Sequence, residues 1–182
     1  MSAPVTSTLG LLVILVLWML GAHNRVTGLK RQVLTAWQGV EQAFGQRAEA
    51  LQSLLRTVSP VLSGGEQAAI EAVESALAQV VEQSAQVKRK PLDRDTVAEL
   101  SKADAVLGAT LPRLLALVEY HPELAHEATV REALARLGEL KPQLAYARRA
   151  FNEAGTAYNA AIHQLPTRLL APVLRFGEAG QL

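Results

Sequence analysis

Residues 130–165, VREALARLGELKPQLAYARRAFNEAGTAYNAAIHQL, carry the pattern that decides the fold. Val130, Leu137, Leu144, Phe151, Tyr158 and Leu165 recur every seven residues, and Ala133, Leu140, Ala147, Ala154 and Ala161 follow three positions behind them. Such an a/d seam belongs to a helix lying along another helix. Because most of the d positions are alanine, the partner axis can come close while the larger a residues fill the gaps. Nothing else in the chain alternates apolar and polar residues over a strand's length between turn signals, so the class is all-α.

Similar seams precede it. Ile70, Val73, Leu77, Val80, Ser84 and Val87 form one, and Val97, Leu100, Asp104, Leu107, Leu111, Leu114 and Val118 another. Val26, Val33, Val40, Leu54 and Val61 share a seven-residue register broken by Arg47, with Trp37, Phe44, Leu51 and Val58 beside them. Asp104, a lone acid in an apolar seam, reads as a register device or a solvated edge before it reads as a functional group. Ser63 with Glu66, Thr96 with Glu99 and Thr129 with Glu132 match the capping box, in which side chains at the N-cap and three residues on satisfy each other's backbone donors. Gly64-Gly65, Pro91 and His121-Pro122 supply the breaks. Short connections force antiparallel neighbours. The expectation is therefore an antiparallel four-helix bundle, residues 24–165, with helices about 24–63, 66–90, 95–120 and 129–165, the first and fourth being long. Pro112 and Pro142 fall inside helices and predict bends there.

Before the bundle, residues 5–22 run VTSTLGLLVILVLWMLGA without a charge and span about 27 Å as a helix, near the hydrocarbon thickness of a bilayer. A short outside tail and transmembrane helix over residues 1–23 is the reading. A cleaved signal peptide would need a basic leading region, and no Lys or Arg precedes Arg25. Arg25, Lys30 and Arg31 just after the span place the following domain on the cytoplasmic side and the N-terminus outside. After Pro166, residues 166–182 contain a short amphipathic stretch with Arg168 and Arg175; with Arg25, Lys30 and Arg31 these are candidate lipid contacts. A flap packed on the bundle is the equal alternative for that tail.

Composition excludes much. With 18 Lys plus Arg against 17 Asp plus Glu, the net charge of +1 gives no global attraction to nucleic acid. The absence of cysteine removes disulfides, thiolate nucleophiles and Cys-type zinc sites. The histidines, His23, His121, His126 and His163, are scattered, and His126-Glu127 lacks the second imidazole of HExxH because Val130 stands there. No cofactor motif is present, and no enzyme is expected. A metal-binding or hydrolytic protein using the distal residues Glu66, His121, Glu123, His126 and Glu127 is the rival, and a lipid-binding, stress-sensing module a third possibility.

Residue for residue, the first and last helices resemble those of the LemA family of membrane-anchored bacterial proteins. His23-Asn24 resembles that family's Tyr-Asn, Ala36-Trp37 its Ala-Trp, Val40-Glu41 its Ile-Asp, and Arg47, Glu49 and Leu51 its basic-acidic-apolar run. YHPEL at 120–124 resembles its Tyr-Pro-Glu-Leu turn, ARRAFNEAGTAYNAAI at 147–162 its Ala-Arg-Arg helix and LPTRLLA at 165–171 its Phe-Pro tail. Residues 60–105 contribute little. Gln52 stands in place of a proline, and Lys141, Pro142 and Gln143 in place of Glu-Asn-Arg. The resemblance implies a helical bundle on a single anchor in the plasma (inner) membrane and brings no biochemical activity with it.

Helix lengths point to a place for a partner. The second helix is too short to return to the bilayer and should stop some 20 Å above it, leaving a stalk of the first and fourth helices. Trp37, Phe44, Phe151 and Tyr158, with Asn152 and Asn159 beside the last two, form a candidate interaction surface there for an unidentified membrane protein or a second copy. The alternative is that these aromatics pack on one another as core.

Overall fold

The protein, described here by a computed structural model over residues 3–165, 167–168 and 176–182, is all-helical across those residues apart from its turns and closing segment. Helix α1 runs Ala3–Val58, a single 3-10 turn spans Gly64–Glu66, and α2 (Gln67–Arg89), α3 (Arg94–Tyr120), the one-turn α4 (Pro122–Ala125) and α5 (Ala128–His163) follow. Side chains at positions 3–9, 11 and 12 lie outside the described residues.

The two long helices pack against each other and the middle pair pack together, with α1 closing the sheaf against α2. Cross-links give the directions. Arg25 Nη1 donates to Gln164 Oε1 at 3.0 Å at one end, and His121 reaches Glu66 at the other. Lys88 near the end of α2 pairs with Glu41 at 2.7 Å. That contact sets the α2–α3 turn about 28 Å along α1 from Ala22, somewhat farther from the apolar segment than helix lengths suggest. The core follows the seams. Val26, Val33, Val40, Leu51, Leu54 and Val58 of α1 are fully buried, as are Ile70, Val73 and Val87 of α2 and Val97, Leu100, Leu107 and Leu114 of α3. On α5, Val130, Phe151 and Tyr158 are at most 1% exposed.

Several expectations are corrected. The apolar segment and the first bundle helix are one continuous helix, and α1 stops at Val58 instead of about 63. Val61 and Leu165 therefore fall beyond their helix ends and are exposed, 38% and 65%. Past Val58 the chain turns through Gly64, whose φ of +60° is open to glycine and strained for other residues. The capping boxes do not form. Ser63 makes no side-chain cap, since the Glu66 amide donates to the Ser63 carbonyl at 3.3 Å, and the Glu66 carboxylate turns to His121. Asp93, not Thr96, caps α3: its carboxylate accepts from the Thr96 amide at 2.9 Å and the Thr96 hydroxyl at 2.6 Å. These bonds, the hydroxyl's first, hold the Asp93 carboxyl below its ordinary range. Glu99 is drawn off to Lys102 at 2.7 Å, and α5 starts after Glu127, ahead of Thr129.

Both internal prolines are accommodated within continuous helices. Four residues before each stands a glycine, Gly108 before Pro112 and Gly138 before Pro142. A proline ring presses on the carbonyl at that position, and glycine leaves the backbone there free to yield.

The expected anchor stands as follows. Among the described residues no helix is long and apolar enough to cross a membrane. Part of the run 5–22 lies outside the described side chains; the described stretch Val13–Ala22 covers about 15 Å, half of what a span requires.

Candidate functional site

Where the middle helices fall short, the stalk of α1 and α5 is covered by the chain's own closing segment, residues 176–182. Asn152 and Asn159 on α5 hold it. Asn159 Nδ2 donates to the Ala179 carbonyl at 2.9 Å, and its Oδ1 accepts from the Ala179 amide at 2.8 Å. Asn152 repeats the arrangement with Leu182, both bonds 2.8 Å. The spacing follows from secondary-structure geometry: seven residues of helix advance about 10.5 Å, and three residues of extended chain about 10 Å. One heptad of the seam thus matches one three-residue step of the strap.

Between the two asparagines the strap runs close over Gly155 and depends on a missing side chain at Gly180. A Cβ on Gly155 would touch the Gly180 carbonyl at 3.5 Å and the Ala179 methyl at 3.6 Å. A Cβ on Gly180 would come within 2.7 Å of Val97 Cβ and 3.1 Å of the Arg94 backbone. Ala179 is 4% exposed. Outside this apolar step, Glu178 pairs with His163 at 2.9 Å and Arg94 at 3.5 Å, Gln181 Nε2 donates to Thr156 Oγ1 at 3.2 Å, and Phe176 stacks on His23 with centroids 6.1 Å apart.

Of the two readings of the stalk, this arrangement matches the packed one. Trp37 and Phe44 are 3% exposed, Phe151 0% and Tyr158 1%, so the aromatics are core, with Trp37 and Phe151 edge to face at 5.9 Å. The missing cover came from the chain itself. Burial pushes the Tyr158 phenol above its ordinary range. Asn152 and Asn159 are the members of that set at the surface of α5, and both are engaged by the closing segment. Residues 176–182 lie on the bundle, as the flap alternative for the tail has it; Arg175 and the apolar residues 169–174 lie outside the described residues. Arg25, Lys30, Arg31 and Arg168 are exposed, Arg25 bonded to Gln164.

A second polar feature sits mid-bundle. The two seam interruptions, Arg47 and Asp104, face each other at 2.5 Å, and Arg148 of α5 bonds the second Asp104 oxygen. The Arg148 guanidinium also lies 5.4 Å over the Phe44 ring, while its Nε is buried without a hydrogen-bond partner among the described residues. Beside the triad, a cleft of about 600 Å³ opens between α3 and α5, walled by Leu111, Leu115, Leu134 and Leu137.

At the distal end, the imidazole of His121 lies between two carboxylates. Its Nδ1 faces Glu123 at 3.0 Å and its Nε2 faces Glu66 at 3.1 Å. The Glu123 bond first, then Glu66, raises the His121 pKa, and Glu123 is lowered by its own backbone amide and by His121. The carboxylates meet opposite sides of the ring, so no point is shared by three ligands. His126 Nδ1 is instead 2.7 Å from the Pro122 carbonyl. Among the described residues no group of three or more acidic or histidine side chains is arranged to hold a metal ion.

The LemA family profile matches residues 36–182, which takes in most of the bundle, the asparagine pair and the closing segment. The chain belongs to the LemA family. Within curated proteins, this LemA chain is similar to Magnetosome protein MamQ of Magnetospirillum gryphiswaldense, 32% identical over 74 residues that make up 41% of this chain and 27% of that protein. It is equally similar, 32% over 77 residues, to Magnetosome proteins MamQ 2 and MamQ 1 of Paramagnetospirillum magneticum, covering 42% of this chain and 28% of each. The LemA chain thus spans under a third of the length of the curated relatives it matches.

Proposed function

We propose that this LemA protein is a single-pass membrane-anchored, non-enzymatic helical interaction module whose bundle stands on the cytoplasmic face of the plasma membrane. One observation carries the anchor. Val13, Ile14, Leu15, Val16, Leu17, Trp18 and Leu20 are 45–65% exposed, although they sit on every side of a helix that continues into a buried core. So large an uncovered apolar surface is unfavourable in water at about 25 cal/mol per Å², and hydrocarbon is the medium that removes the cost. Exposed Arg25, Lys30 and Arg31 immediately after it favour the cytoplasmic orientation. Against hydrolytic or metal chemistry, the distal His121 is engaged by carboxylates on both ring nitrogens.

Membranes from cells expressing the full chain, washed at high pH, test the anchor: the protein should stay in the pellet, and a chain lacking residues 1–22 should be released. Since the protein has no cysteine, Lys102→Cys supplies a unique label site on the exposed face of α3. A membrane-impermeant maleimide should react with it only after lysis. Release of the full chain by the wash rejects the anchor, and labelling in intact cells rejects the orientation.

A further inference from the structure

The groove between α5 and the start of α3 has the properties of a receptor for extended peptide. Asn152 and Asn159 bond only to main-chain groups of the segment they hold, so they read an extended backbone without reading its side chains. Selection comes from shape and charge. Position 180 admits no side chain, because Val97 Cβ and the Arg94 backbone occupy the space. Position 179 faces Gly155 and accepts a methyl. Position 178 lies between His163 and Arg94 and favours an acid.

The sequence that meets all these conditions is Glu178-Ala179-Gly180-Gln181-Leu182, and every copy of the chain carries it. Contacts of this kind are indifferent to which chain supplies the backbone. The reach is also sufficient. The turn at 164–168 is held in place, Arg168 N donating to the Gln164 carbonyl at 2.9 Å and Thr167 being buried, and the seven residues 169–175 before Phe176 extend to at most about 25 Å. Helices packed across an interface have axes about 8–10 Å apart, well inside that reach. Copies held in one membrane plane meet at raised local concentration, which favours exchange of an identical element.

We propose that the Asn152–Asn159 groove is a peptide-docking site whose second occupant is the 176–182 segment of another copy, so that chains link by exchanging their closing segments. This names the partner for the interaction-module reading and rests on it, but not on the anchor, since exchange is read independently of membrane extraction.

Gln181 and Thr156 touch across the groove, and the protein has no cysteine. Full-length Thr156→Cys and Gln181→Cys chains carrying different tags are co-expressed and treated in membranes with a short bismaleimide. Exchange predicts a crosslinked pair holding both tags. Adding Gly180→Val to the Gln181→Cys chain, or Asn152→Ala with Asn159→Ala to the Thr156→Cys chain, should lower that product at least about tenfold, since either change removes the backbone bonding. A single chain carrying both cysteines reports the intramolecular contact. If that chain closes on itself while the mixture gives no pair, or gives a pair insensitive to Gly180→Val and to the asparagine changes, the segment never leaves its own groove and exchange is wrong. If the doubly substituted chain fails to close and no mixed pair forms, the groove does not hold the segment and the proposal falls with it.

Discussion

Replacing Asp104 by asparagine should be among the most damaging single-atom changes in the molecule. The carboxylate is 12% exposed and bonds Arg47, 17% exposed, on one oxygen and Arg148, 30% exposed, on the other. Removing one member of a buried ionic set typically costs about 3–5 kcal/mol, mostly because the opposite charge is left without a partner. Here the exposure of Arg148 lets water reach one guanidinium, and asparagine keeps one acceptor oxygen, so about 2–3 kcal/mol is the expected cost. For a domain of this size that lowers Tm by about 5–10 °C. Thermal melts followed by circular dichroism on the full chain in detergent would read it, with Glu99→Gln at the exposed Lys102 pair as a control that should leave Tm in place. The combination Arg47→Met, Asp104→Leu and Arg148→Met should restore stability, because an apolar core in the same volume requires no desolvated charge and removes the unpaired Arg148 Nε. A Tm for Asp104→Asn within about 1 °C of the parent, against the several degrees expected, would refute the reasoning.

Other positions carry consequences of their own. The His121 pKa is raised in the folded state, so the ion pairs with Glu123 and Glu66 stabilise fully below about 6.5 and are lost as pH rises through the higher folded value. Tm should fall across that window, and His121→Gln should flatten the slope. Phe151→Ala, at a fully buried position against Trp37, should cost about 3–5 kcal/mol in urea unfolding. Gly155→Ala should stabilise by up to about 1 kcal/mol, since alanine is the better helix former and its methyl would sit at ordinary contact distances of 3.5 and 3.6 Å. Gly180→Ala, by contrast, should unseat the closing segment, detected as faster proteolysis after residue 175.

Heptad arithmetic located the core because burial and spacing are the same physical fact. On α5 every a residue from Val130 to Tyr158 is at least partly buried, and Leu165 fails only because the helix ends at His163. Capping boxes misled for a different reason. They weigh a serine or threonine against its own neighbours, whereas Glu66 and Glu99 are claimed by His121 and Lys102. Arg47 and Asp104 were visible as faults in separate seams, but residues 57 apart in sequence cannot be paired from one helix at a time. The closing segment left the weakest trace of all. Main-chain bonds to Asn152 and Asn159 make no demand on composition, and the available hints were asparagines one heptad apart flanking Gly155 and an Ala-Gly step in the tail.

The energetics of that segment explain why a seat so well formed is also one the chain can leave. Ordering seven residues costs about 1–2 kcal/mol each in backbone freedom. Against this stand the asparagine bonds at about 0.5–1.5 kcal/mol apiece and roughly 3–4 kcal/mol from the apolar surface of Phe176, Ala179 and Leu182. The opposing terms nearly cancel, which is the condition for local opening well below the cost of global unfolding. The four-helix body, with its seams buried along their length, does not share that balance. Opening therefore uncovers the groove at Asn152, Gly155 and Asn159 while α1 and α5 stay packed, leaving a rigid cradle that an identical segment from a neighbouring chain fits as well as its own.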